Sequence, residues 1–268
     1  MKMVTKKLRD CIWIWGHPAG CHDENWGIEP LHSRMTACES AYYLGARNCI
    51  VVCYGNKPVP PFDQEAMALD SLRETIWSVV GAVDCDNNVE TLGHLDEILR
   101  ISQKYPNIKG AIFDDFFFDS RIKDYTVEKI AEVRRRLHEA PGGKLDLWVV
   151  VYDYLMDDAK EEYLEHFDGV TYWTWYGQDL EKFEENYAKI RQKCTGKRLL
   201  LGCYLYDYGN HKQLTKEQME FQLNRYAEAI KKGEAEGMIL LSNTVADLGF
   251  EAVEFTKQWI AEHGDELV

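Results

Sequence analysis

The chain has 268 residues, 46% of them hydrophobic and 28% charged, which is enough for one large domain with a sizeable core. Its formal net charge of −14 argues against nucleic acid as a partner, because phosphates require Lys and Arg, and equally against an anionic membrane surface. No apolar run approaches the ~20 residues of a membrane-spanning helix, and the run after the basic N-terminus, Cys11 to Trp15, is too short for a secretory signal. The eight cysteines form no CxxC pair, which argues against a zinc ribbon or a thioredoxin-like motif. Cys11, Cys49, Cys53 and Cys203 sit in strand-like runs and read as small core residues. Reduced thiols and a cytoplasmic location are the expectation.

In chain order, the strand-type runs are Cys11–Gly16, Cys49–Tyr54, Ile76–Val83, Gly110–Phe116, Leu145–Tyr152, Gly169–Trp175, Arg198–Leu205 and Met238–Ser242. Several are continuously apolar rather than alternating, as parallel strands buried on both faces must be. Helical patterns follow each in turn: Ser33–Leu44, Asp63–Leu72, Val89–Tyr105, Thr126–Glu139, Asp158–His166, Leu180–Cys194, Thr215–Lys232 and Phe250–His263. Thr215 and Gln218 have the spacing of a capping box, and Gly or Asn segments such as Gly45 to Asn48 and Gly142 to Lys144 supply stop signals. Eight strand-then-helix units predict an α/β fold, a single (β/α)8 barrel with eight parallel strands, as one domain over residues 1–268. An open doubly wound sheet would be expected to carry a Gly-rich phosphate loop after its first strand. Here that strand ends Trp15-Gly16-His17-Pro18.

The stretch Gly110-Ala111-Ile112-Phe113-Asp114-Asp115-Phe116-Phe117-Phe118 is the focus of the chain. An apolar strand runs into two adjacent carboxylates and then three aromatic rings. A buried carboxylate is costly unless paired or protonated, and two side by side push one pKa upward. A raised carboxylic acid beside an ionised one is what general acid catalysis at neutral pH uses. A plain helix N-cap is the simpler explanation for either Asp alone, but Thr126 is the better cap for the next helix, and capping does not explain the pair.

In such a barrel, chemistry gathers at the C-terminal ends of the strands. Those positions carry Trp15 and His17, Tyr54, Asp84, Asp114 and Asp115, Tyr152 and Asp153, Trp173 and Trp175, Tyr204, Tyr206 and Asp207, and Asn243. Aromatic faces stack on the apolar faces of sugar rings, while carboxylates and amides bind hydroxyls. Hydrogen bonds in apolar surroundings discriminate strongly, because an unmet buried polar group is costly. Some of the rings must be barrel core. The long loop from His17 to His32, which carries His22 and Trp26, is expected to shape the substrate end of the site.

Only His17 among the histidines lies at a strand end, and no His-x-His occurs in the first strand, so no catalytic metal is expected. No lysine falls inside a predicted strand, so flavin, pyridoxal phosphate and Schiff-base chemistry lack support. No cofactor is expected.

The phrase Ile112-Phe113-Asp114-Asp115-Phe116 resembles the Asp-Asp of the O-GlcNAcase family and, more loosely, the strand-four motif of family eighteen chitinases. The resemblance covers this strand and the barrel layout. It implies substrate assistance, with Asp114 orienting a 2-acetamido group that attacks the anomeric carbon and Asp115 serving as general acid and then base. The chitinase Glu is absent, and strand eight offers Ser242 and Asn243 where chitinases place a Trp. A two-carboxylate mechanism is the alternative, with Asp115 as acid and Asp153, Asp207 or Asp84 opposite. A separation of ~5 Å would then give retention and ~6.5–9.5 Å inversion.

The expectation is therefore a glycoside hydrolase acting on a carbohydrate by carboxylate acid/base catalysis, with Tyr204, Tyr206 and Asn243 as supports. The alternatives are a carbohydrate-binding barrel without catalysis and a metal-dependent sugar hydrolase or isomerase. Fold alone does not choose among them.

Overall fold

Continuous apolar runs need cover on both faces, and here they obtain it by closing on themselves. In the computed structural model, which describes residues 6–83, 85–86 and 92–268 (the side chain of Ser120 aside), eight strands form a closed barrel in chain order. They are β1 (Ile12–Gly16), β2 (Asn48–Val51), β3 (Glu74–Val80), β4 (Ile108–Phe113), β5 (Asp146–Tyr152), β6 (Gly169–Trp173), β7 (Arg198–Tyr204) and β8 (Gly237–Leu241). All neighbours are parallel, and β8 pairs back onto β1 through Ile12↔Met238 and Trp13↔Ile239. This is a (β/α)8 barrel.

The helices are α1 (Ala37–Leu44), α2 (Asp63–Ala68), α3 (Leu95–Ser102), α4 (Asp119–Ile122), α5 (Val127–His138), α6 (Glu161–Leu164), α7 (Phe183–Lys193), α8 (Lys216–Lys231) and α9 (Glu251–His263). Their starts follow local chemistry. Thr215 accepts from the Gln218 amide at 3.2 Å while Gln218 accepts from the Thr215 amide at 3.0 Å, closing the capping box. Thr36 and Glu39 form a second one. Thr126 caps α5 by accepting from Lys129 N.

Several elements differ from the sequence pattern. The strands stop one to three residues short at their C-terminal ends wherever the chain turns into the cavity: β2 ends at Val51, β3 at Val80 and β4 at Phe113. The fifth unit has one helical turn, α6, whose only buried residue is Leu164, so it has no apolar face to extend. The predicted helix from Leu180 starts as a 3-10 turn over Gly177–Lys182. Part of the segment predicted helical from Val89 lies outside the described residues. Lys109 falls within β4, contrary to expectation, but at its exposed start, donating to Pro106 O at 2.6 Å. No helix among the described residues is long and apolar enough to cross a membrane.

Large rings meet glycines across strands. Trp148 pairs with Gly169, and Trp173 with Gly202. A Cβ on Gly202 would lie 2.0 Å from Trp173 Cε3, and one on Gly169 would lie 2.3 Å from Trp148 Cε3. The missing side chains are what let each indole lie flat on the neighbouring strand.

Candidate active site

The strand C-termini open into a cavity of about 720 Å³ lined by both Asp114 and Asp115. Adjacent residues of a regular strand point to opposite faces. Here β4 ends at Phe113, and Asp115 takes a left-handed φ of 47°, a region Asp tolerates better than most residues. The reversal brings both carboxylates to one cavity.

Their environments differ. Asp114 is 4% exposed. Burial raises its pKa well above the ordinary carboxylate range, and the neighbouring Asp115 charge adds to that. The Asp115 amide donates to Asp114 Oδ1 at 2.9 Å, which opposes the rise without cancelling it. Asp115 is half-buried. Its Oδ1 accepts from the Tyr152 hydroxyl at 2.9 Å and its Oδ2 from the Val83 amide at 3.0 Å, contacts that favour a carboxylate. Burial, followed by the Asp115 charge, pushes the Tyr152 phenol up, so it stays a donor. Buried Arg121 donates to the carbonyl of Ala82 and, at 3.4 Å, to that of Gly81, holding the turn that carries Val83.

Aromatic rings surround the pair. Tyr152 stacks on Tyr154 at 5.5 Å and meets Trp175 edge-on at 5.6 Å, with Phe118 at 6.1 Å from Tyr152. The opposite wall holds His17, His22, Tyr54, Trp26 and Tyr208. His17 and His22 lie 4.6 Å apart, each within 5.3 Å of Tyr54. Trp26, on the long first loop, approaches Trp175 at 6.0 Å and completes the ring. Trp15 and Tyr204 form the floor, both touching Trp173 beneath them. Burial holds the His17 imidazole well below its usual range and His22 at about 3, so both are neutral.

Of the residues singled out from sequence, Trp15, His17, Tyr54, Asp114, Asp115, Tyr152, Trp175 and Tyr204 line the cavity. Five others do not. Trp173 lies in the layer below, 1% exposed. Tyr206 has turned away to stack on Phe250 at 5.6 Å, its hydroxyl donating to Trp26 O at 2.9 Å. Asp207 accepts from the Asn210 amide and side chain. Asn243 is fully buried; its Oδ1 accepts from His17 N at 2.8 Å, and its Nδ2 donates to His17 O at 3.1 Å and Met35 O at 2.8 Å. Asp153 accepts from the amides of Tyr154 at 3.0 Å and Trp175 at 3.2 Å. The last two therefore position wall residues rather than face the cavity. Asp84 lies outside the described residues.

The wall also includes residues that strand-end reading did not select. His22 and Trp26 come from the long loop. Phe118, Tyr154, Tyr176 and Tyr208 come from the turns after β4 to β7. Tyr154 continues the alternate spacing of Tyr152 past the strand end, a signal present in the sequence. As for metal donors, His17, Cys21 and His22 bring one ligand atom each within 4.8 Å of one another, and so do His138, Asp146 and Asp168. A larger groove of about 1010 Å³ runs along α1 and is lined by neither Asp114 nor Asp115.

Comparison with protein-family models and with curated proteins returns no match. Among solved structures, the chain is similar over its whole length to several barrels. One is a protein of Bacteroides thetaiotaomicron assigned as an α-L-fucosidase (TM-score 0.59, 10% identity, 99% of each chain covered). Another is the GH99 endo-α-mannosidase from Bacteroides thetaiotaomicron (0.57, 12%, 95% of this chain and 97% of that one). A third is a chain of the tryptophan synthase complex of Pyrococcus furiosus (0.54, 12%, 97% and 98%). At such identities the likeness shows the barrel fold, which these proteins share across different chemistries.

Proposed function

We propose that this barrel is a glycoside hydrolase whose acid/base chemistry is carried by Asp114 and Asp115. The observation that carries the reading is the pair itself: two adjacent carboxylates lining one aromatic cavity, one desolvated and the other accepting hydrogen bonds from Tyr152 and the Val83 amide. Asp114 is the group that keeps a proton at neutral pH and can give it to the leaving oxygen. Asp115, held by Tyr152 and the Val83 amide, is the fixed negative charge that stabilises an oxocarbenium-like state or polarises a neighbouring acetamido group. This division of labour exchanges the roles that the O-GlcNAcase resemblance implies. Because the acid must be protonated, activity is expected to fall as pH rises through the elevated pKa of Asp114.

The cavity suits a saccharide. Its volume lies within the ~300–1,000 Å³ of small-molecule sites, and Trp26, Tyr54, Tyr154 and Trp175 offer faces for ring stacking. The glycoside hydrolases among its structural neighbours support the reading.

The test is hydrolysis of a panel of chromogenic aryl glycosides, N-acetylglucosaminide and fucoside included, by the wild type, Asp114→Asn and Asp115→Asn. General acid catalysis contributes typically 10²–10⁴-fold, so on the sugar that reacts both variants should lose at least about a hundredfold in kcat/KM. Full activity in both variants would make the pair structural. Saccharide binding without turnover, unchanged in both variants, would make the barrel a binding protein.

A further inference from the structure

We propose that His17, Cys21 and His22 form a binding site for a thiophilic divalent cation of the zinc class on the β1 side of the cavity. The proposal stands independently of the carboxylate chemistry and runs against the expectation drawn from strand ends, where only His17 stood. The other two donors come from the loop.

Three observations carry it. First, the donors converge: one ring nitrogen from each histidine and Cys21 Sγ lie within 4.8 Å of one another. The Cys21 amide donates to Pro18 O at 3.2 Å, and this turn folds the loop back so that Cys21 and His22 return to His17. A tetrahedral zinc with Zn–N near ~2.0 Å and Zn–S near ~2.3 Å would draw the donors inward by a small side-chain rotation.

Second, His22 is held as metal-binding histidines are. His22 Nδ1 pairs with Thr244 Oγ1 at 2.8 Å and the Tyr208 hydroxyl at 3.2 Å, which leaves Nε2 for an ion. Asn243 clamps the His17 backbone from both sides.

Third, His17 is buried, and its Nδ1 has no hydrogen-bond partner among the described residues. Buried nitrogens are normally paired, and a cation would relieve this one. The other donor cluster makes a useful contrast. Asp168 already accepts from Arg134 at 2.8 Å and from His138, and Asp146 is paired with Arg198 and, at 3.0 Å, with Lys144, so protein cations occupy that site.

Two imidazoles and a thiolate suit zinc better than magnesium or calcium, which prefer oxygen. Three protein ligands leave a fourth position for water or a substrate oxygen. His17 and His22 both line the cavity, so the site adjoins it.

The experiment is a titration of the chelator-stripped full chain with Co²⁺ as a spectroscopic stand-in, followed by competition with Zn²⁺. The expected result is saturation at one equivalent, with a thiolate-to-cobalt charge-transfer band and tetrahedral ligand-field bands that Zn²⁺ abolishes. Cys21→Ser should lose the charge-transfer band and weaken Zn²⁺ binding at least about tenfold, while Cys38→Ser, on α1, should change neither. Cys21 is half-buried on a loop, so its Ser variant should keep the fold even if His22→Ala does not, and a circular dichroism melt checks this. Absence of stoichiometric cobalt binding, or a charge-transfer band that survives in Cys21→Ser, overturns the proposal whatever the glycoside panel shows.

Discussion

The Tyr152 hydroxyl, at the end of β5, donates to Asp115 Oδ1, just past the end of β4, at 2.9 Å. Neighbouring strands thus supply a carboxylate and the donor that fixes it. The Val83 amide supplies a second donor from the turn after β3, so Asp115 is oriented by groups from both sides of its own strand. A hydrogen bond to a charged group contributes about 1.5–3 kcal/mol. Tyr152→Phe keeps the ring in the cavity wall and removes only this bond. It should lower kcat/KM on a responsive glycoside by roughly 10- to 150-fold, with kcat moving more than KM, because the stacking surface is unchanged. Steady-state kinetics across a substrate series measures that split. An equal rise in KM with kcat intact would show that the hydroxyl contacts substrate rather than Asp115.

The burial of Asp114 makes stability depend on pH. Its folded pKa lies above the unfolded value, so between those two values the folded state binds the extra proton. Stability contributed by that proton is complete below the ordinary carboxylate pKa and is lost as pH rises through the elevated one. Asp114→Asn is neutral at every pH and escapes this loss. It should therefore be more stable than the wild type at neutral pH, by roughly 2–4 °C in Tm for each kcal/mol relieved, with the difference vanishing near pH 3. Thermal melts of both proteins from pH 3 to 8 test this. A pH-independent difference would mean that Asp114 does not change protonation across that range.

The barrel was legible because its strands are buried on both faces and each is followed by a helical period. Those two signals depend on local sequence alone. The Asp pair was legible because its position after β4 conflicts with stability. The different surroundings of the two carboxylates were not, because they depend on the left-handed turn at Asp115 and on donors from β5 and the turn after β3. For the same reason Tyr204 and Tyr206 look equivalent in sequence, yet Tyr204 floors the cavity and Tyr206 stacks on Phe250. His22 shows in sequence only as part of the long loop, since its approach to His17 is made by a turn at Pro18 to Cys21 and by Thr244 from beyond β8.

Asn243 makes one of those long-range links. It satisfies the amide and carbonyl of His17 and the carbonyl of Met35, each with one hydrogen bond, and so ties the start and end of the β1–α1 loop to β8. Asn243→Ala leaves three backbone groups without these partners in a buried place, at a cost of about 2–4 kcal/mol. Asn243→Asp should not rescue it, because a carboxylate would face two carbonyls where the amide donates. Urea unfolding of both variants measures the loss. Wild-type stability in Asn243→Asp would mean that the donor side of the clamp is dispensable.

Trp173 and Gly202 provide a test of the floor that needs no substrate. The indole lies flat on the adjacent strand because Gly202 has no side chain, and a Cβ there would fall 2.0 Å from the ring. Gly202→Ala is expected to displace Trp173 and so disturb Trp15 and Tyr204, which touch it at centroid distances of 5.1 and 5.2 Å. Overpacking of this kind destabilises by about 1–3 kcal/mol. It should also weaken saccharide binding, since Trp15 and Tyr204 form the cavity floor. Trp173→Leu removes the obstructing ring, so the double variant should lose less stability than the sum of the two singles, a coupling that a double-mutant cycle reads directly. Strict additivity would show that the alanine is accommodated by strand movement and that the floor does not depend on the Trp173–Gly202 contact.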